Sequence, residues 1–154
     1  MDVEKILAIT FSGMRPEEAP AAKKLLTACR LPREDLTEDM LRNFLVARKG
    51  ERLIGVIGLE ICGPDALLRS LAVDEAFRRQ GIAARLTEFI ARYATGLGIK
   101  DIYLLTTTAE AFFAAHGYRS IDRSLVPESI LAAREFSELC PATAVCMYRK
   151  VVTP

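Results

Sequence analysis

Short apolar runs separated by turn-forming residues recur along this chain and predict β-strands. Within residues 44–73, turn signals at Lys49-Gly50-Glu51 and at Gly63-Pro64 separate three such runs, which favours an antiparallel meander. Residues 83–97 differ, because their apolar positions recur every three or four residues, as in an amphipathic helix. The pattern predicts strands over residues 6–11, 44–47, 53–61, 66–73, 102–105, from Gly117 and over 144–151, and helices from Pro16 to the Leu31-Pro32 step and over 33–42, 83–97, 107–115 and 128–139.

This order of elements combines the meander with strand–helix–strand crossovers. A meander joins antiparallel strands, whereas crossovers of that kind join parallel ones. We therefore expect an α/β (α+β) fold with a mixed central sheet flanked by helices on both faces. The length of 154 residues suits a single domain, 1–154, which is large enough to fold without a disulfide or a structural metal.

Composition and charge narrow the class of protein. A formal net charge of +1 argues against a nucleic-acid binder, and no apolar run is long enough to span a membrane. The four cysteines, Cys29, Cys62, Cys140 and Cys146, form no CxxC pair and have no clustered histidines beside them. We therefore expect reduced thiols, no metal site and a cytoplasmic protein.

The segment from Val73 to Ala83 joins a predicted strand to the long predicted helix. The first amides of a helix have no acceptor within it and lie at the positive end of its dipole, so they bind anions. Gly81 lets a phosphate approach the backbone, and Arg78 and Arg79 add positive charge. The alternative is a polar turn before an amphipathic helix. Neither the Walker sequence nor the G-x-G-x-x-G fingerprint is present.

The spacing Arg78-x-x-Gly81-x-Ala83 after Leu71-Ala72-Val73 resembles the Q/R-x-x-G-x-G/A acetyl-CoA motif of the GNAT acetyltransferase superfamily. The second half of the chain is similar to the acetyltransferase domain of N-acetylglutamate synthases in three segments: Leu104-Leu105-Thr106-Thr107-Thr108, Phe112-Phe113-x-x-x-Gly117-Tyr118 and Val126-Pro127-Glu128-Ser129. The stretch from Leu139 to Cys146 resembles the small amino-acid acetyltransferases of arsenic-resistance operons.

The resemblance implies acetyl-CoA as the acetyl donor. It also implies that the strand ending at Val73 splays from the strand over 102–105, often at a bulge, and receives the pantetheine arm between them. The Leu71 amide would stabilise negative charge on the thioester carbonyl, and the backbone of Val73 would pair with the pantetheine amides. The pyrophosphate would be held by the backbone of Arg78, Arg79, Gln80, Gly81, Ile82 and Ala83.

One position departs from the family pattern. The family often has a tyrosine that protonates the departing CoA thiolate, and this chain has Phe113 there. A thiol has a pKa of about 8.5, so a thiolate leaves without a dedicated acid. We expect the Phe113 ring to pack against the acyl chain and the helix–sheet core.

An amine acceptor must lose a proton before it attacks, so the site needs a base or a polarised water molecule. The charged residues of the meander are candidates for this role. Arg69 lies in an apolar strand and is costly there unless paired, which predicts a carboxylate partner such as Glu60. This pair is either structural or part of an acceptor site, in which Arg69 binds the acceptor carboxylate and Glu60 polarises water near the amine. Ser70, Thr106 and Thr107 complete the predicted acceptor site, and strand-end or N-cap bonding is the alternative for the threonines.

These features together predict an acetyl-CoA-dependent N-acetyltransferase that transfers acetyl directly to a small amino-acid-like amine, either glutamate-like or an arsenic-containing analogue. The expected partner is that small molecule, with no nucleic acid or membrane, and a homodimer is left open. Two alternatives remain. One is a non-catalytic acyl-CoA-binding sensing module, for which Phe113 is the argument, and the other is acetylation of a peptide or protein amine.

Overall fold

The computed structural model describes residues 8–139 and 141–151. Its strands are β1 (Ile9–Gly13), β2 (Phe44–Lys49), β3 (Arg52–Cys62), β4 (Asp65–Val73), β5 (Asp101–Thr106), β6 (Arg119–Ser120) and β7 (Val145–Lys150). They form one sheet in the order β1-β2-β3-β4-β5-β7-β6. The β4–β5 pair is parallel, and the pairs β1–β2, β2–β3, β5–β7 and β6–β7 are antiparallel. The predicted α/β fold with a mixed sheet is confirmed.

The helices are α1 (Ala19–Ala28), α2 (Glu38–Leu41), α3 (Ile82–Gly96), α4 (Glu110–Ala114) and α5 (Glu128–Leu131). Short 3₁₀ turns occur at Pro16–Glu18, Glu75–Phe77 and Arg123–Leu125, and a π-helical turn spans Glu135–Leu139. Within the two described ranges, no helix is long and apolar enough to cross a membrane. The cytoplasmic location stays a prediction.

The chain divides into two compact units, Met1–Gly58 with Ser70–Thr87 and Leu59–Arg69 with Glu88–Pro154. The single domain stays a prediction. In the first unit, one face of α1 packs with β2 and β3 around Phe44, which is fully buried. A Cβ at Gly58 would lie 2.2 Å from the Phe44 ring, so this close approach requires glycine.

The first unit also buries an arginine beside a β-bulge. Ala47 pairs with Gly55 and Arg48 with Leu53, which leaves Ile54 as the extra residue. The Arg48 guanidinium binds both carboxylate oxygens of Glu18 and donates to the Ser12 hydroxyl and to the Gly13 carbonyl. The hydrogen bond from Arg48 lowers the pKa of Glu18, so the carboxylate stays charged and neutralises the arginine.

The second unit has a separate core, in which Tyr103 of β5 and Cys146 of β7 pack against the segment that follows β6. That segment contributes Val126, Ile130, Ala133 and Phe136. Tyr103 also stacks on Tyr148 with ring centroids 5.8 Å apart, and burial raises the pKa of Tyr103 to about 12. The core is therefore apolar with phenol groups at its margin.

Several predicted elements have different bounds in the structure. The helix predicted over 33–42 is only α2, because the Thr37 hydroxyl accepts the Met40 amide and begins the helix there. The helix predicted over 107–115 begins at Glu110 and the strand predicted from Gly117 at Arg119. Residues 6–7 of the first predicted strand, and Cys140, lie outside the described residues.

The helix predicted over 128–139 is interrupted between α5 and the π-helical turn. Ile130 is fully buried and Glu135 is almost fully buried. In a continuous α-helix these two residues would lie about 140° apart around the axis, so both could not face one buried side. The interruption allows both side chains to be buried.

Candidate functional site

The segment between β4 and α3, here called the donor turn (residues 73–83), is anchored to the first unit by Asp74. The Asp74 amide donates to the carbonyl of Ile54, the bulge residue, at 2.8 Å. The Asp74 carboxylate accepts the Ala76 amide at 3.0 Å and lies 3.2 Å from the Arg52 guanidinium. These bonds hold the entry to the donor turn in one geometry.

Two residues of the donor turn have left-handed backbone conformations. The φ angles are +64° at Arg79 and +78° at Gly81. The Gly81 carbonyl accepts the Arg85 amide at 3.1 Å, so α3 begins immediately afterwards. Arg78, before the two left-handed residues, is extended, with a φ of −67° and a ψ of 161°. The start of a helix directs its first free amides to one side. A Cβ at Gly81 would meet no atom within 4 Å, so the space beside this backbone is open.

The side chain of Arg78 is exposed and contacts the end of β4. Its Nε donates to the Val73 carbonyl at 3.2 Å, and its terminal nitrogen lies 3.6 Å from the Cys29 sulfur. Arg78 therefore ties the end of β4 to the turn, although it is exposed, as Arg79 and Gln80 are. The part of Cys29 in this contact was not predicted from the sequence. The assignment of the donor-turn backbone to pyrophosphate stays a prediction.

The strand β4 is irregular immediately after Arg69. Ser70 has a φ of +61°, so the side chains of β4 do not alternate regularly at this point. A buried non-glycine residue in this region costs about 1–3 kcal/mol, and such residues are concentrated at functional sites. The ladder pairs Ala66 with Ile102 and Leu67 with Tyr103, just before the irregularity. The Leu71 amide directly follows Ser70, and its predicted role in stabilising the thioester oxyanion stays a prediction.

Arg69 has the carboxylate partner that the sequence predicted, and a second one that it did not. One terminal nitrogen of Arg69 lies 3.1 Å from Glu60, and its Nε lies 3.3 Å from Glu135. We call these three residues the charged cluster. The Arg69 side chain is 0% exposed, that of Glu135 9% and that of Glu60 18%. Nothing in the local sequence distinguishes Glu135 from an exposed helical residue such as Glu138.

The threonines after β5 differ from each other. The buried Thr106 hydroxyl accepts the Ala109 amide at 2.9 Å, which is the turn-capping interaction considered as the alternative. Thr107 is exposed. Their predicted contact with the acceptor stays a prediction.

Phe113 lies in an aromatic group on α4. Its ring contacts Phe112 and Tyr118 edge to face, with centroids 5.2 and 5.7 Å away. The ring is buried, and its expected contact with the acyl chain stays a prediction. Burial raises the pKa of the Tyr118 phenol, which remains neutral.

The thiols of the second unit are unreactive in type. Cys62 and Cys146 of this unit are free, as is Cys29 of the first unit, and burial raises the pKa of both Cys62 and Cys146 to about 11. Both are therefore protonated at neutral pH, the form that is neither nucleophilic nor metal-binding. Among residues 8–139 and 141–151, no group of three or more histidine, cysteine or acidic residues could hold a metal ion.

Comparison with known proteins places this arrangement in a family. The family model described as the acetyltransferase (GNAT) domain matches residues 41–120, which include the donor turn and the charged cluster except Glu135. The uncharacterized N-acetyltransferase CT2212 of Chlorobaculum tepidum is 31% identical over 107 residues. That stretch covers 69% of this chain and 66% of the relative.

Solved structures agree with the fold. Rv2747 from Mycobacterium tuberculosis, in complex with CoA, superposes with a TM-score of 0.79 at 21% identity, over 93% of this chain and 99% of that one. N-acetylglutamate synthase from Neisseria gonorrhoeae, with coenzyme A and N-acetyl-glutamate, gives a TM-score of 0.81 at 18% identity, over 94% of this chain and 35% of that one. The predicted resemblance to the acetyltransferase domain of these synthases is confirmed for the fold. The chain belongs to the GNAT family of N-acetyltransferases.

Proposed function

We propose that this protein transfers the acetyl group of acetyl-CoA directly to the amine of a small amino-acid-like acceptor. The observation that carries the proposal is the donor turn, with left-handed residues at Arg79 and Gly81 directly before α3 in a GNAT-family chain. Two structural relatives bound to coenzyme A support the choice of donor. The donor turn and the charged cluster belong to different units, and each is assigned its part separately.

The donor turn binds the pyrophosphate of acetyl-CoA through backbone amides. The amides from Arg79 to Gly81 precede α3 and those of Ile82 and Ala83 lie in its first turn, so they have no acceptor within α3 and lie at the positive end of its dipole. The Arg78 amide instead donates to the Glu75 carbonyl at 3.4 Å. Arg78 keeps the turn closed through the Val73 carbonyl. The exposed Arg79 adds a positive charge beside the phosphates.

The chemistry requires an ammonium acceptor to lose two protons. One leaves before the nitrogen attacks, and the other leaves the same nitrogen as the tetrahedral intermediate collapses and passes to water. The amine nitrogen attacks the thioester carbonyl carbon, the carbon–sulfur bond breaks, and the thiolate departs with the bonding electrons. Glu60, as the most exposed carboxylate of the charged cluster, accepts the ammonium proton directly or through a water molecule. The Leu71 amide, turned by the left-handed Ser70, stabilises the oxyanion. Phe113 offers no acid, so the thiolate leaves unprotonated.

The identity of the acceptor is tested with an amine panel. Purified protein, acetyl-CoA and single amines are assayed for free thiol, and the panel contains L-glutamate, an arsenic-containing amino-acid analogue, a polyamine and a short peptide. Amine-dependent thiol release with a small amino acid supports the proposal. Release with the peptide alone identifies a peptide acetyltransferase. Acetyl-CoA binding without release with any amine identifies the sensing module.

The donor turn is tested separately with Gly81→Asp. The substitution places a side chain and a negative charge in the open space beside the turn, and we expect acetyl-CoA affinity to fall at least about 100-fold in calorimetry. Gly98→Asp is the matched control, because Gly98 also has a positive φ of +79° and open space. Equal affinity of the two variants, both shown to be folded, would contradict the assignment.

A further inference from the structure

The two carboxylates of the charged cluster bind different nitrogens of Arg69. Glu60 contacts a terminal nitrogen at 3.1 Å and Glu135 contacts Nε at 3.3 Å. Two carboxylates and one guanidinium sum to a formal charge of one negative unit. A cluster of this composition attracts a cation and repels an anion.

The exposed fractions of the three side chains also favour a cation as the bound group. The guanidinium of Arg69 is completely covered, and Glu60 has the largest exposed fraction, 18%. An arriving molecule therefore meets the Glu60 carboxylate before it meets Arg69. The accessible member of the cluster is an acceptor of hydrogen bonds, which suits an ammonium group.

Glu135 owes its place to the π-helical turn that it begins. Turns of this kind are rare and are frequent at functional sites. The next acidic residue of the same turn, Glu138, is exposed and pairs with Arg134 at 2.9 Å. The turn thus directs one glutamate into the cluster and the other to solvent.

We infer that Glu135 is a positioning residue that engages Arg69 and so leaves Glu60 able to bind the acceptor through its ammonium group. The acceptor carboxylate, where it has one, lies away from Arg69. This inference rests on the proposed function and replaces the predicted contact between Arg69 and an acceptor carboxylate with a contact between Glu60 and the amine.

Removal of the Glu135 charge separates these two arrangements by sign. In Glu135→Gln, Arg69 loses one of its two carboxylate contacts and interacts more strongly with Glu60, so Glu60 loses attraction for an ammonium group. We expect the Kd and KM of both L-glutamate and L-glutamic acid diamide, which lacks free carboxylates, to rise about tenfold. If Arg69 instead bound the acceptor carboxylate, the same variant would free the guanidinium and lower both values for L-glutamate only. That result would overturn the inference.

The experiment measures amine binding by calorimetry in the presence of CoA and, separately, transfer by thiol release. Glu138→Gln is the matched control and should leave every value unchanged, while Glu135→Asp should restore part of the wild-type affinity. An equal change in the acetyl-CoA Kd and in the amine values for Glu135→Gln would indicate a structural role only and would overturn the inference. If Glu135→Gln does not fold, Glu60→Gln is used, for which the two arrangements again predict opposite signs for L-glutamate.

Measurements on the wild-type protein distinguish failure of the proposed function from failure of this inference. Amine binding without transfer overturns the proposed function, and the variants still decide the inference from the Kd values. Transfer in the wild type with the opposite sign in the variants overturns the inference alone. The absence of any amine binding overturns both.

Discussion

Two arginines are buried in strands of this protein, and the groups around them differ. In the first unit, Arg48 binds one carboxylate, Glu18, together with a hydroxyl and a backbone carbonyl. In the second unit, Arg69 contacts two carboxylates. The Arg48 site demonstrates that one carboxylate and neutral acceptors are enough to bury a guanidinium in this fold. Burial of the Arg69 guanidinium therefore does not require a second carboxylate, which is why we assign that carboxylate a functional role.

The largest expected effect is a loss of stability when the Arg48 site is disrupted. Arg48→Ala leaves the Glu18 carboxylate without its partner, and the loss of a buried pair costs about 3–5 kcal/mol in the free energy of unfolding. Arg42, which pairs with Asp39 on the surface, is the control, and Arg42→Ala should cost less than about 0.5 kcal/mol. Urea denaturation measures both. The comparison fails if Arg48→Ala also changes the acceptor KM of the folded protein.

The second largest effect is a fall in catalytic efficiency when the Arg69 site is disrupted. Arg69→Ala releases Glu60 from its anchored position, so we expect the acceptor kcat/KM to fall at least about tenfold, which corresponds to about 1.4 kcal/mol. Acetyl-CoA affinity should change less than about twofold. Steady-state kinetics and calorimetry on folded protein are the measurements. A variant that loses only stability would make the two arginines equivalent.

The smallest effect is a dependence of stability on pH that arises from Glu18 at the Arg48 site. Because the pKa of Glu18 is lower in the folded protein, its contribution is present above the ordinary glutamate pKa of 4.5 and is lost as the pH falls through the folded value. Glu18→Gln should therefore cost about 1 kcal/mol at pH 7, and the difference from the wild type should shrink below pH 4.5. Thermal unfolding of both proteins from pH 7 to pH 3 measures it. A difference that grows on acidification would contradict the sign.

The sequence predicts the donor turn well because its signals are local. The strand end, the two arginines, Gly81 and the start of α3 are consecutive, and each restricts the backbone of its neighbours. The conformation of Ser70 could not be predicted in the same way, since serine carries no preference for a positive φ. The direction of the Arg78 side chain depends on Val73 and Cys29, and Cys29 lies in another helix-end segment.

The charged cluster was half predictable. An arginine in an apolar strand requires a carboxylate, and the hairpin at Gly63-Pro64 brings Glu60 opposite it. Glu135 lies far along the chain, in a segment whose composition favours a continuous helix. Its burial follows from the interruption after α5, which depends on packing around Ile130 that no local pattern records.

The π-helical turn also makes the cluster sensitive to chain length. Such a turn closes its hydrogen bonds over five residues where an α-helical turn closes them over four, so it holds more residues per turn. Deletion of one codon within residues 135–139 would tighten this turn towards an α-helical one and rotate the residues on one side of the deletion by about 100° relative to the other. A different side chain would then face Arg69, while the sheet would be untouched. Acceptor preference in such a protein would diverge through insertions and deletions at this turn as readily as through substitutions.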